Sequence, residues 1–123
     1  MRVLLDTHVL IWWITDSPQI RQSHRAVTEA GENLVYVSSI SLAEIAIKSS
    51  TGKLEVPNNL AERIVEAGFT HLPFDATHAA ALGELPFHHR DPFDRMLIAQ
   101  AMTEGLVFAT ADDRCRAYDI QTI

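Results

Sequence analysis

Short apolar runs, each ending in polar or acidic residues and each separated from the next by helix-patterned sequence, most constrain the fold of this chain. "RVLLD" at 2–6 is a buried strand ending in a carboxylate, and "NLVYVSS" at 33–39 is rich in β-branched and aromatic residues. "FTHLPF" at 69–74, "LVFAT" at 106–110 and "DIQTI" at 119–123 complete the set. Strands are expected near 2–5, 34–37, 69–72, 106–109 and 119–122. Between them lie helical patterns with recognisable stops and starts. "THVLIWWIT" is followed by the breaker "DSP", a second helix over 18–31 ends at Gly31, and a third opens at Ser41 and ends near Gly52. Asn58 or Asn59 starts a helix closed by Gly68, Asp75 starts another, and 92–104 forms a further one closed by Gly105. A short helix, "ADDRCRAY", precedes the last strand.

Strands alternating with helices imply a parallel sheet covered on both faces, an α/β three-layer sandwich with four to five central strands. The 123 residues suit one domain with a real core, so residues 1–123 are expected to form a single unit. No apolar stretch is long enough for a membrane span, and Asp6 and His8 interrupt the apolar amino terminus against a signal-peptide reading. With one cysteine, Cys115, an internal disulfide and a cysteine-based zinc site are excluded, and a cytoplasmic location is expected. The net charge of −6 means that any phosphate-binding surface is local, built from a few arginines and bound metal.

In such sheets functional groups collect beyond the carboxyl ends of the strands. Asp6 ends the first strand, and Thr110 and Asp112 follow the fourth. Glu44 lies one turn into the helix after the second strand, while Asp91 and Asp94 open the helix before the fourth. Each acid also has a local explanation at a helix start: Asp6 before Thr7, Glu44 in a capping box with Ser41, Asp91 before Pro92 with Asp94 at N3 of a capping-box-like pair, and Asp112 before 113–118. Convergence weakens that explanation, because carboxylates sharing a cleft repel unless a cation sits among them. The only lysines, Lys48 and Lys53, follow no strand end, which leaves little expected neutralisation. Oxygen-only ligands suit Mg²⁺ or Mn²⁺, and such a site supports hydrolysis of a phosphodiester without a protein nucleophile.

Four segments, "LLDTHVLIW" at 4–12, "SSISLAEIAIK" at 38–48, "DPFDRMLIAQA" at 91–101 and "VFATADDR" at 107–114, resemble in order and spacing the PIN-domain nucleases, and within them the VapC-type toxins of toxin–antitoxin pairs. The resemblance spans essentially the whole chain. It implies a metal-dependent endoribonuclease whose Mg²⁺ or Mn²⁺ is held by Asp6, Glu44, Asp94 and Asp112, with Thr110 as a supporting hydroxyl. Asp94 matches the acid opening the "D-x-x-I-A-x-A" helix with one extra residue before the isoleucine, and Asp91 is the cap and the alternative ligand. The partners implied are RNA, a cognate antitoxin protein and a second copy in a homodimer, with no membrane; a housekeeping RNA-processing nuclease is the alternative. Arg95 and Arg114 flank the acids and are expected to contact RNA phosphates, as Arg90 and Arg116 also could.

Further residues divide between packing and contact. Of Trp12 and Trp13, adjacent on a helix, one is expected in the core and the other on a partner surface. His8, His88 and His89 are placed either on substrate or as solvated loop residues, and the histidines have no metal-ligand spacing. Cys115, Phe93, Met96, Leu97 and Ala101 are expected in the core. A signalling receiver domain is excluded by the single Asp after the first strand and the missing lysine after the last. A haloacid-dehalogenase-type phosphatase is excluded because Asp6-Thr7-His8 lacks the second acid.

Overall fold

The computed structural model describes residues 1–123. Its four strands, β1 (Arg2–Leu5), β2 (Leu34–Ser38), β3 (Thr70–Leu72) and β4 (Val107–Ala109), form one parallel sheet in the order β3-β2-β1-β4. Six helices surround it: α1 (Thr7–Ile14), α2 (Gln22–Glu29), α3 (Ser39–Ser50), α4 (Leu60–Glu66), α5 (Ala76–Glu84) and α6 (Pro92–Glu104), with a short 3₁₀ turn at Asp113–Ala117. The expected fifth strand is reduced to one parallel bridge, Phe108 to Thr122, where the Phe108 amide donates to the Gln121 carbonyl at 2.8 Å and the Ile123 amide to the Phe108 carbonyl at 3.0 Å.

Strand alternation builds two cores, one on each face of the sheet. Val3 and Leu5 of β1 point to one side, with Val35, Val37, Val9, Leu10, Ile45 and Ile64, beneath α1, α3 and α4. Leu4 points to the other side, with Phe108, Leu97, Ile98, Ala101 and Cys115, beneath α6 and the 3₁₀ turn. β4 divides in the same way, Ala109 to the first core and Phe108 to the second. Helices therefore cover both faces, as the alternation of elements requires. Cys115, Leu97 and Ala101 are fully buried as expected, while Phe93 and Met96 are only half-buried at the rim.

Helix boundaries follow local chemistry, with two shifts. The third helix opens at Ser39, capped by the Ser38 hydroxyl on the Ile40 amide, so Ser41 is not its cap. Ser41 is instead buried inside the helix, where its hydroxyl accepts from that of Thr7 at 2.9 Å and ties α3 to α1. The Ser41–Glu44 capping box is thus absent, and Glu44 needs another explanation. The second helix shortens to Gln22–Glu29 because residues 18–21 run as turn before it. Gly105 ends α6 at φ 65°, a left-handed conformation that a side chain would resist.

Candidate active site

Register alone brings Asp6 beside the Thr110–Asp112 segment. Leu5 pairs with Ala109, so Asp6 and Thr110 leave adjacent strands side by side, and the Asp6 amide donates to the Ala109 carbonyl at 2.9 Å. The Thr110 hydroxyl donates to Asp6 Oδ2 at 2.6 Å and accepts from the Asp112 amide at 3.0 Å. One hydroxyl therefore fixes one carboxylate directly and the backbone of another.

The remaining two acids come from α3 and α6. Glu44 lies on the buried side of α3, where Lys48, one turn on, donates to Oε2 at 2.8 Å. Lys48 thus supplies a cation that sequence reasoning discounted by looking only at strand ends; its i,i+4 spacing from Glu44 was the available signal. The other oxygen, Glu44 Oε1, is buried and has no hydrogen-bond partner. At α6, Asp91 caps the helix by accepting from the amides of Phe93 and Asp94 at 2.9 and 3.1 Å. Pro92 follows at the first helical position, where its missing N–H costs nothing. The Asp94 side chain does not reach back to complete a capping box. Its Oδ2 lies 3.0 Å from Nε2 of His89.

His89 organises this side of the cluster. Its Nδ1 accepts the Asp91 amide at 3.0 Å, which leaves the ring proton on Nε2. That nitrogen stands 2.9 Å from Asp112 Oδ2 and 3.0 Å from Asp94 Oδ2, so one N–H faces two carboxylates. The His89 amide donates to the Tyr118 hydroxyl at 2.9 Å, and the residue is only 4% exposed. It is neither a solvated loop residue nor a free substrate contact. No periodicity could have revealed it, because residues 85–91 form a loop whose placement depends on Tyr118 and Arg95.

Electrostatics separate the acids. Asp6, Glu44 and Asp94 are 2%, 4% and 8% exposed. Burial raises the Asp6 carboxyl above its ordinary value, against the Thr110 hydrogen bond that favours ionisation. Asp94 is pushed up to about 7, first by burial and then by the charges of Asp6, Asp91, Glu44 and Asp112. Asp112 is held well below the usual carboxylate range by Arg114, which grips it through Nε and Nη2 at 3.0 and 2.8 Å. The Cys115 thiol is pushed up to about 12, by burial and then by Asp6. His89, Asp112 and Cys115 bring possible ligand atoms within 4.8 Å of one another. A protonated thiol and an Nε2–H make that trio a poor place for a soft metal.

The donor set fits a hard divalent cation. The oxygens are carboxylate oxygens, one buried oxygen is unpartnered, and Lys48 on Glu44 and Arg114 on Asp112 leave Asp6 and Asp94 without a paired cation. A larger groove, about 590 Å³ between α3 and residues 54–60, contains none of these acids.

The flanking arginines divide. Arg114 is exposed and occupied by Asp112, within reach of the site. Arg95 is not a free phosphate contact, contrary to expectation. It is 7% exposed, and its guanidinium donates to the carbonyls of Pro86 and Leu85 and to the Tyr118 hydroxyl at 2.7, 3.1 and 3.3 Å. The physical reason is the helical angle: one residue past Asp94 turns about 100° away from the cleft and towards the 85–91 loop. Arg116 pairs at 3.7 Å with Asp113. Both tryptophans are half-buried. Trp13 packs on Phe69 at 4.7 Å, while Trp12 stands beside His8.

Comparison with known proteins then decides the family. The family described as PIN domain matches residues 3–121. The chain belongs to the PIN-domain family. Ribonuclease VapC22 of Mycobacterium tuberculosis is 30% identical over 124 residues, covering 94% of this chain and 91% of that protein. The PIN domain seen here also superposes on VapBC2 from Rickettsia felis, solved bound to a DNA fragment from their promoter. That match has a TM-score of 0.77 at 19% identity, over 100% of this chain and 98% of that one. VapBC-5 from Mycobacterium tuberculosis, a member of the VapBC family of toxin–antitoxin systems, superposes with a TM-score of 0.62 at 20% identity. It covers 99% of this chain and 97% of that one. These likenesses of fold extend over the whole PIN domain, including the strands and helices that carry its acids.

Proposed function

We propose that this PIN domain is a divalent-metal-dependent endoribonuclease, the toxin of a toxin–antitoxin pair. Asp6, Glu44, Asp94 and Asp112 are its metal-holding acids. The observation that carries the reading is the buried carboxylate cluster in which Asp6 and Asp94 have no paired lysine or arginine, with Glu44 Oε1 unpartnered and Asp94 raised to about 7. The ribonuclease named among its relatives supports RNA as the substrate, and the VapBC assemblies support an antitoxin as partner. In this reading residues 1–123 work as one nuclease domain, and the enzyme pairs with a second copy of itself.

Mg²⁺ or Mn²⁺ bound by these acids supplies a Lewis acid that polarises a phosphodiester and acidifies a water. The chain's own groups prepare for that charge. Thr110 holds Asp6 in one rotamer, and Asp91 holds the first turn of α6 so that Asp94 is carried rigidly to the cleft. His89 keeps Asp94 and Asp112 directed at a common point through its single N–H. Glu44 offers Oε1 while Lys48 balances Oε2. Arg114, exposed and adjacent, is placed to exchange its carboxylate for a substrate phosphate.

The test is cleavage of total RNA by the purified chain with Mn²⁺, with EDTA, and with Mn²⁺ restored. Cleavage that requires Mn²⁺ and disappears in Asp6→Asn supports the reading. Cleavage indifferent to EDTA, or equal in the Asp6→Asn protein, contradicts it. Growth arrest on induction, relieved by co-expression of the neighbouring gene and absent for Asp6→Asn, separates a toxin from a housekeeping nuclease.

A further inference from the structure

The strand order β3-β2-β1-β4 reverses direction between β1 and β4, and in open parallel sheets ligands collect beyond the carboxyl ends at such a reversal. A cavity of about 330 Å³ lies there, lined by Asp6, His8, Trp12, Ala111 and Asp112. Two of these residues are acids of the cluster, one from each strand of the reversal. The other wall is aromatic.

His8 and Trp12 are one turn apart on α1, so both rings leave the same face of the helix. Their centroids are 6.1 Å apart and their planes tilted by 53°, which makes a corner and not a parallel slot. His8 is exposed, whereas the half-buried Trp12 packs against the core cluster and also borders the cavity. An indole braced from behind and open on one side is a pre-formed stacking surface at low entropic cost.

We propose that this cavity receives one unpaired nucleobase of the RNA substrate, next to the phosphodiester that is cut, with Trp12 as its stacking surface and His8 as the second wall. This inference rests on the ribonuclease reading. A nucleotide has an anionic phosphate, a hydroxylated ribose and a flat uncharged base. In the ribonuclease reading Asp6 and Asp112 are taken up by the metal and Arg114, while the indole favours the flat group. The volume suits one nucleoside-sized group. A base inside a duplex is stacked and paired and cannot lie on Trp12 without leaving the helix, so the substrate is single-stranded or looped RNA.

Two measurements test this. Kinetics with Mn²⁺ on a single-stranded RNA should show KM raised roughly 5- to 150-fold in Trp12→Ala, with kcat less affected. Trp12→Phe, which keeps a stacking ring, should restore most of the loss. In a Trp13→Phe background Trp12 is the sole tryptophan, and its fluorescence should be quenched by single-stranded oligoribonucleotides more than by a duplex of the same sequence. If wild type cleaves RNA but Trp12→Ala keeps its KM and Trp12 shows no quenching, the inference is overturned while the ribonuclease reading stands. If the wild type does not cleave, that reading fails and the inference falls with it. Should Trp12→Ala unfold by circular dichroism, Trp12→Phe and the quenching decide. Loss of antitoxin binding in Trp12→Ala with RNA kinetics unchanged would assign the ring to a protein interface and overturn the proposal.

Discussion

Two buried polar clusters in this molecule have opposite characters. Between β2, α5 and α6, Ser38 donates to Gln100, and Gln100 donates to the Pro73 carbonyl at 3.3 Å. His78 Nδ1 accepts the Asp75 amide at 3.0 Å and Nε2 donates to Glu104 at 2.8 Å. Each of these side chains finds a partner, and the result is a joint between elements. At the carboxyl edge of the sheet, by contrast, burial and mutual repulsion raise Asp6 and Asp94, and Glu44 keeps an unpartnered oxygen. The same fold that satisfies one set of buried polar groups leaves the other in deficit. A deficit held in place by Thr110, His89 and Asp91 is what the proposed cation would offset.

The contrast is broken most directly by substituting one residue in each cluster. Asp6→Asn should lower RNA cleavage by about a thousandfold or more, on the scale of removing a main electrostatic group from a site. Its melting temperature should hold or rise. His78→Ala should do the reverse, costing about 2–3 kcal/mol through the cavity left by a buried ring and the lost Asp75 amide bond to Nδ1, with activity per folded molecule retained. Equal effects of the two changes on melting and on cleavage would abolish the distinction.

The next effect is on pH dependence. Asp94 titrates at about 7 when folded against an ordinary value of 3.8, so between roughly pH 4 and 7 the folded chain holds a proton that the unfolded chain has lost. Stability of the metal-free protein therefore falls as pH rises through that window, and Asp6 acts in the same direction. Asp112 is shifted the opposite way, so its contribution is lost only as pH falls below the ordinary carboxylate range. Thermal melts in EDTA should lose on the order of 5–10 °C between pH 5 and 8. Asp94→Asn should flatten that slope and raise the melting temperature at pH 8. A wild-type slope that Asp94→Asn leaves unchanged would remove Asp94 from the deficit.

The smallest effect separates the neighbouring acids. Asp91→Asn keeps an acceptable cap and should cost well under 1 kcal/mol, and Asp91→Ala about 1 kcal/mol. Both should retain far more cleavage activity than Asp94→Asn. A reversed order of activities would make Asp91 the direct ligand.

Much of this was legible in the chain, for reasons that also explain what was not. Strand and helix order followed from apolar runs separated by caps and glycines, and the acids at strand ends followed from that order. Asp91 and Asp94 divided into cap and inward-facing acid because Pro92 fixes where α6 begins. His89, Arg95 and Lys48 were misjudged, each for its own reason. His89 and Arg95 owe their roles to a loop folded over Tyr118, a contact spanning more than 20 residues that no local pattern encodes. Lys48 was within reach of helical spacing from Glu44, and considering strand ends alone concealed it. The cavity beside Trp12 required the strand order itself, since the reversal between β1 and β4 is a property of topology.

Calorimetric titration of Mn²⁺ into the metal-free protein near pH 6.5 tests the central claim most directly, with buffers of different ionisation enthalpy to count protons. The account predicts saturable binding accompanied by proton release, because Asp94 is largely protonated below about 7 and must ionise to serve the cation. Binding should be weakened severely in Asp6→Asn, and Asp94→Asn should lose both affinity and the proton release. Mn²⁺ binding of unchanged strength and proton count in the Asp94→Asn protein would contradict it.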